Sequence, residues 1–338
     1  MDPLSQACLG AAAAALVSRK ENVRLALIVG AVAGAAPDLD VLIRSEKDPL
    51  LSLEYHRHFT HALLFAPIIG MMVAAVFKAI LFKKVCSFRM LACFAILGAL
   101  THGLLDACTS YGTLLYLPFS SHRESWDIIS IIDPIFTLPL FILCVLAFAW
   151  RRPGFAIAAL VSCALYLCFG LHQKARATDF AQSLAESRGH QASSLTARPS
   201  FANTLLWRII YRDGDRYYVD AVTLLPGTAP RPYPGQSVVA LTPEDVGKIL
   251  PPNSVLAQDV ERFRVFSQGY LYRYPEDPTV IGDLRYAMLP NSIEPLWGIR
   301  IDPQFADQHT QMVYLRDASK SNWDQLWLML CGAALAEN

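Results

Sequence analysis

Four short polar clusters interrupt an otherwise apolar N-terminal half, and their residue types are those that ligate metal ions. Asp38 and Asp40 follow Pro37; His56, Arg57, His58, Phe59, Thr60 and His61 run without a break; His102 precedes Asp106; Trp126-Asp127 and Asp133-Pro134 form the last. His102 and Asp106 are four apart, so on a helix they project from one face, one turn apart. Asp38 and Asp40 flank one residue after a proline, so an extended turn aims both the same way. His56 and His61 would diverge by about 140° on an ideal helix, which places at least one of them in a turn before the helix. Imidazoles and carboxylates without a thiolate suit zinc ahead of manganese or iron, and this many carboxylates suit one or two ions. Such ions activate water and stabilise a developing oxyanion or phosphoryl charge. The candidate ligands are Asp38, Asp40, His56, His61, His102 and Asp106. Arg57 is placed to clamp an anionic group, and Thr60 to orient a ligand. Asp133 serves as a ligand or supporting partner, or simply caps the helix after it.

Each residue also has a plainer reading. A single histidine at the end of a membrane helix is more often interfacial than a ligand, and Asp-Leu-Asp alone is a solvated turn. His58, His122, His172 and His309 take that plain reading. The joint occurrence of three histidines and three aspartates is what favours a metal site.

The elements that must position these residues are hydrophobic segments. The chain has 338 residues, of which 54% are hydrophobic and 17% charged, with 29 basic and 29 acidic side chains in balance. Soluble domains carry about 25% charge, so the deficit points to a membrane protein or to a soluble one with an unusually apolar half. A neutral chain without a long basic run is not built to coat nucleic acid, and its hydrophobicity excludes disorder. Residues 62–82, 88–105, 128–150 and 155–171 each approach the length of about 20 residues that crosses a bilayer. Segment 25–36 is shorter and crosses obliquely or packs inside a bundle. Segment 6–18 is Ala-rich and too short to span alone, and it pairs with the next as a hairpin across 19–22. No basic n-region precedes it, since Asp2 stands where positive charge is expected of a signal peptide, so this first helix is expected to be retained.

Arg19, Lys20 and Arg24, then Lys83, Lys84 and Arg89, then Arg151 and Arg152 occupy alternate connections, which makes that side cytoplasmic. The four polar clusters then share the opposite, external end. The reading is an all-α polytopic membrane bundle of about six helices over residues 1–171, a helical linker over 172–202, and a soluble β-rich (α+β) external domain over 203–338. Within the last, Leu205–Tyr211 and Tyr217–Val222 flank Asp213-Gly214-Asp215 as a hairpin. Further strands are expected over 263–272, 280–288, 296–301 and 311–315. A short helix is expected over 242–250 with Thr242 as N-cap, and a docked apolar tail over 323–335. The eight cysteines show no CxxC and read as packing residues.

The ordered motifs resemble a known family. Met1-Asp2-Pro3-Leu4-Ser5-Gln6-Ala7-Cys8-Leu9-Gly10-Ala11-Ala12, Ala36-Pro37-Asp38-Leu39-Asp40-Val41, His56-Arg57-His58-Phe59-Thr60-His61, Thr101-His102-Gly103-Leu104-Leu105-Asp106, Thr109-Ser110-Tyr111-Gly112-Thr113 and Ile131-Ile132-Asp133-Pro134 are similar to the YdjM-like family of bacterial inner-membrane proteins, described as metal-dependent hydrolases. The resemblance covers about the first 140 residues, and Asn203-Thr204-Leu205-Leu206-Trp207-Arg208 resembles longer members. His58 departs from the small residue expected there, usually glycine, and Ala62 from a serine. The resemblance implies hydrolase chemistry, and a distant similarity to zinc-dependent phospholipase C and nuclease folds implies phosphoester substrates.

The leading expectation is therefore a hydrolase of the bacterial inner membrane, with its C-terminal domain on the periplasmic side. It acts by metal-activated water on a lipid or lipid-linked phosphoester, with the lipid bilayer as its setting. The competing class is a non-enzymatic scaffold or regulatory protein whose metal is structural. A transporter would need these charges near the bilayer midplane, and their gathering at one end disfavours it.

Overall fold

The computed structural model describes residues 1–80 and 86–335. Lys83 and Lys84, counted above in a basic connection, lie outside the described residues. The chain divides into two compact units, one of Met1–Ile43, Tyr55–Leu171 and Phe201–Asn203, the other of Arg44–Glu54, His172–Ser200 and Thr204–Asn338.

The first unit is helical. Helices α1 (Pro3–Ala15) and α2 (Val23–Ala35) form the short hairpin, followed by a 3-10 turn over Ala36–Leu42, helix α3 (Leu51–Tyr55) and a second 3-10 turn over Phe59–His61. Helices α4 (Ala66–Ile80), α5 (Phe88–Ala107), α6 (Pro134–Trp150) and α7 (Pro153–Ser187) complete the series. Their starts follow from local chemistry. Asp2, Ser87 and Asp133 cap α1, α5 and α6 by accepting backbone N–H groups of the first turn. In α1 and α6 a proline occupies the opening position, where no N–H is needed. The α1–α2 hairpin packs backbone to backbone. A Cβ added to Gly10 would lie 2.8 Å from Gly34 Cα, so only glycine allows this approach. The core is correspondingly built from small residues, among them Ala12, Ala15, Ala26, Ala33, Ala95 and Ala99, with Leu27, Leu91, Phe94 and Leu140 between them.

Arg24 at the start of α2 donates to the carbonyls of Phe148 and Ala149 near the end of α6. The amide of Asp2 donates to Ile131 O, which sets the start of α1 beside the start of α6. The basic 19–24 connection and the Arg151-Arg152 turn thus share one end of this unit. Among the described residues, three helical stretches are long and apolar enough to cross a membrane: Val23–Leu42, Phe88–Ala107 and Pro153–Ser187. Leu51–His61 and Ala66–Ile80, bent by 82° at their junction, reach that measure together, while Pro134–Trp150 is apolar but shorter.

The second unit is β-rich. Strands β1 (Ser194–Pro199), β2 (Leu206–Asp213), β3 (Arg216–Thr223) and β4 (Arg231–Tyr233) form an antiparallel sheet in that order, with β5 (Ser237–Val239) also on β3. The β2–β3 hairpin turns at Gly214, whose positive φ of 58° suits glycine. Helix α8 (Pro243–Ile249) begins in a capping box between Thr242 and Asp245. Hydrogen bonds from Lys248 and Thr242 hold the Asp245 carboxyl down at about 2. Helix α9 (Val255–Phe266) leads to a second antiparallel sheet, β6 (Leu271–Arg273), β7 (Val280–Asp283), β8 (Trp297–Arg300) and β9 (Gln311–Tyr314), and α10 (Lys320–Leu330) follows. As expected of the tail, Leu326 and Met329 of α10 are buried against Leu206, Ala221 and Tyr233.

Two expectations change. Residues 263–266, read as the start of a strand, end α9. Leu256, Val260 and Phe263 recur at helical spacing on its buried face, and Ser254 caps it. The stretch 172–202, read as a helical linker, holds the second half of α7 and strand β1. Ala177, Ala181 and Ala185 form a buried stripe against Trp207, Ile209, Tyr211 and Val222, which continues the helix past the apolar run.

Arg208 on β2 is buried and donates to the carbonyls of Leu284, Pro290 and Ser292. Arg208→Met leaves three buried acceptors without a donor and is expected to cost about 3 kcal/mol or more. The check is the urea midpoint for unfolding of the second unit in full-length protein; an unchanged midpoint contradicts it.

Candidate metal centre

Pro37 stands at the start of the 3-10 turn that ends α2 and carries both aspartates. At three residues per turn, positions two apart point about 120° away from each other. Asp38 and Asp40 therefore leave a 3-10 turn rather than the extended turn expected from the sequence; both still reach His61, Asp38 at Nε2 and Asp40 at Nδ1, and with His56 they bring ligand atoms within 4.8 Å of one another. His56 follows α3 and His61 closes the second 3-10 turn, so neither histidine lies on an α-helix. Between them Arg57 adopts a positive φ of 59°, a left-handed conformation costly for a non-glycine residue. The carboxylate of Asp40 holds that bend by accepting from Arg57 N at 2.9 Å. His102 and Asp106 occupy one face of α5, and Gly103 between them lets the His61 turn approach. A Cβ at Gly103 would collide with the carbonyl oxygen of His61.

Four atoms converge. His61 Nε2 lies 3.2 Å from Asp106 Oδ2 and 3.4 Å from Asp38 Oδ1. His102 Nε2 lies 3.4 Å from Asp38 Oδ1 and 3.5 Å from Asp106 Oδ2. His61, His102 and Asp106 are each at most 2% exposed. Their atoms His61 Nε2, His102 Nε2 and Asp106 Oδ2 are buried without a hydrogen bond of ordinary geometry.

The other ring nitrogens explain this. His102 Nδ1 lies 2.6 Å from the carbonyl of Gly34, which only accepts, so the proton is assigned to Nδ1 and the lone pair to Nε2. His61 Nδ1 lies 3.2 Å from Asp40 Oδ2 and 3.0 Å from Thr60 Oγ1, whose hydroxyl donates to Asp40 at 3.1 Å. With the proton of His61 likewise on Nδ1, two imidazole lone pairs would face two carboxylate oxygens. For bonds of about 2.0–2.2 Å to nitrogen and oxygen, the edge of a ligand tetrahedron is about 3.3–3.5 Å. All four His–Asp distances fall at about that value, so the donor set fits a divalent ion.

Asp40 is occupied otherwise. Beyond Arg57 N, Thr60 and His61, its Oδ1 meets His56 Nδ1 at 2.9 Å. It is the carboxylate behind a ligand histidine, the partner that fixes ring orientation and raises basicity at metal sites. Asp38, Asp40 and His56 nonetheless form a second group compact enough for an ion, sharing Asp38 with the first. His56 and Asp38 are the exposed members, with 25% and 23% of their side-chain surface accessible.

Arg57, expected to clamp an anion, is 3% exposed and turned inward. Its Nε lies 3.3 Å from Asp106 Oδ2, its Nη1 donates to Thr109 Oγ1 at 2.8 Å, and its guanidinium stacks 4.7 Å from the centre of the Tyr111 ring. The carboxylate of Asp106 draws it there. Asp133 caps α6 and accepts from Tyr166 OH at 2.8 Å. Among the described residues it joins no group able to hold an ion, nor does His58, whose ring packs near Tyr55 and Phe59.

Sequence reasoning missed several supporting residues. Gln6 donates to Asp106 Oδ1 at 2.9 Å, and the amino group of Met1 contacts the same oxygen. A glutamine inside an alanine-rich helix was the available signal. A third group, Asp48, Asp259 and His309, lies in the second unit. Burial opposes ionisation of Asp48, but hydrogen bonds from Arg262 prevail and hold its carboxyl below the usual range.

Apolar helices of spanning length and a buried cage of histidine and aspartate define a membrane protein with a candidate metal centre. The family model for YdjM inner membrane proteins matches residues 1–177, and the chain belongs to that family. No curated protein and no solved structure matches the chain.

His102→Ala and Asp106→Asn should each remove stoichiometric metal from the purified protein, as read by elemental analysis. Asp40→Asn should weaken binding by about 10–100-fold, and Gly103→Leu should mimic ligand loss by displacing the His61 turn. Unchanged metal content in His102→Ala contradicts this geometry.

Proposed function

We propose that this protein is a metal-dependent hydrolase of the bacterial inner membrane acting on a lipid or lipid-linked phosphoester. The observation that carries the reading is the convergence of His61 Nε2, His102 Nε2, Asp38 Oδ1 and Asp106 Oδ2 in one buried cage. Zinc is the first choice for these donors, manganese or iron the next, and Asp38 is shared should a second ion enter beside Asp40 and His56. When bound, the ion would polarise the phosphoester and lower the pKa of water.

The chain's own residues do the rest. Asp40 and the Gly34 carbonyl hold the Nδ1 protons of His61 and His102, which keeps both Nε2 lone pairs turned inward. Arg57 and Gln6 orient Asp106. His56 is held through Nδ1 by Asp40, and its partial exposure leaves it available beside the open edge at Asp38. Leu39, Val41 and Leu42 on the same turn are 65%, 56% and 71% exposed, and that turn closes a candidate span. An apolar rim around the acidic pair favours an amphiphilic substrate, with its headgroup at the cage and its chains along the rim. The basic turns are what support a multi-pass topology with the second unit on the periplasmic side.

A second reading has its own observation. Four protein ligands are the full complement of a structural zinc site, whereas a catalytic one keeps a position for water. In that case the protein is a membrane scaffold, and its metal holds three chain segments together.

A screen of phospholipids and phosphoesters with the purified full-length protein separates the two. Hydrolysis that chelation and His102→Ala both abolish is the expected result. Stable metal without turnover on any phosphoester favours the scaffold. For topology, cysteines placed at Ser45 and Ser87 should be labelled from opposite sides of the membrane; equal access from one side contradicts the arrangement.

A further inference from the structure

The group formed by Asp48, Asp259 and His309 brings three ligand-type atoms within 4.8 Å of one another, yet a cation of the chain already serves it. Arg262 Nη1 donates to Asp48 Oδ1 at 3.0 Å and Asp259 Oδ1 at 2.8 Å. Its Nη2 donates to Asp48 Oδ2 at 2.8 Å and Glu54 Oε2 at 2.9 Å, and its Nε to Glu54 Oε1 at 2.7 Å. The five N–H groups of a guanidinium are all used, two carboxylates being gripped through both oxygens, a strong and directional arrangement. Asp259, 1% exposed, is fixed from its other side by Thr310 N at 2.9 Å and His309 Nδ1 at 3.0 Å. Arg262 is therefore anchored to α9 by a buried carboxylate held from both sides, and it holds Asp48 and Glu54 in turn.

What it holds matters more than the clamp itself. Residues 44–54 pack with the second unit, yet they are the stretch of chain that joins Asp40 to His56. The 3-10 turns at either side, Ala36–Leu42 and Phe59–His61, supply Asp38, Asp40 and His61. The stretch has little slack of its own. Ser45 Oγ accepts from the amides of Lys47 and Asp48, and Asp48 Oδ1 from that of Leu50. We infer that Arg262 is a positioning residue for the metal centre, acting through the chain by fixing residues 44–54. The inference rests on the metal reading above. Neutralising Arg262 would leave three carboxylates facing one another and free the stretch, and with it the spacing of the two ligand-bearing turns.

The test uses the full-length protein in detergent micelles, titrated with cobalt(II) and read by affinity and by the visible absorption of the bound ion. Wild type should bind cobalt stoichiometrically. Arg262→Gln should weaken binding by about tenfold, the scale on which outer partners act on metal sites, and alter the visible bands. Arg262→Lys, which keeps the charge but not the fork, should recover part of the loss, and Glu54→Gln should show part of it. Should Arg262→Gln fail to fold, Glu54→Gln carries the test alone. Wild-type affinity and spectrum in these variants, even with a lowered unfolding midpoint, overturn the inference and leave the metal reading intact. A wild type that takes up no cobalt overturns both.

Discussion

Two imidazole lone pairs and two carboxylate oxygens facing one another inside a protein repel unless positive charge lies among them. That constraint governs the first unit. A carbonyl beside His102 Nδ1 and a carboxylate beside His61 Nδ1 give each ring an acceptor at the nitrogen turned away from the shared space. The nearest cationic side chain, Arg57, reaches Asp106 but pairs with no other member of the cage. Burial makes the demand severe, because an uncompensated charge in an apolar interior costs several kcal/mol. A divalent ion held by these four groups would offset that repulsion.

The local structure follows from meeting that geometry. Pro37 ends α2 and starts a tight turn, which sends Asp38 to the cage and Asp40 to the back of His61. Arg57 accepts a left-handed backbone so that the chain can reverse and deliver His61. Gly103 gives up its side chain to let that turn dock on α5. The small-residue packing of α1 on α2 brings Gln6 within reach of Asp106. The left-handed Arg57 and the close approach at Gly103 both lie at the candidate site, where function rather than stability sets the backbone.

Much of this was legible in the sequence, and the parts that were not share a cause. The spacing of His102 and Asp106 needed only the helical repeat. The hairpin at Gly214 needed only its turn residues. Thr242 announced α8. The six metal-type residues gathered as their common position at helix ends suggested. Their division of labour was hidden, because Asp38 and Asp40 differ only in the kind of turn they occupy, and a 3-10 turn after proline leaves no distinct pattern. Helix α9 was lost for a similar reason, since Phe263 to Phe266 alternates well enough to pass for a strand when Ser254 is overlooked. The inward turn of Arg57 and the five bonds of Arg262 depend on partners far away in the chain. A charge rich in partners and a charge left in solvent look the same in one dimension.

The metal centre proposed for this protein has two histidine nitrogens and two carboxylate oxygens around one ion. X-ray absorption at the zinc edge of zinc-loaded full-length protein tests it most directly. The expected result is a first shell of nitrogen and oxygen at about 2.0–2.2 Å, with the outer scattering of two imidazoles and no sulfur at about 2.3 Å. A shell of oxygen alone, without imidazole scattering, or one containing sulfur, would contradict it.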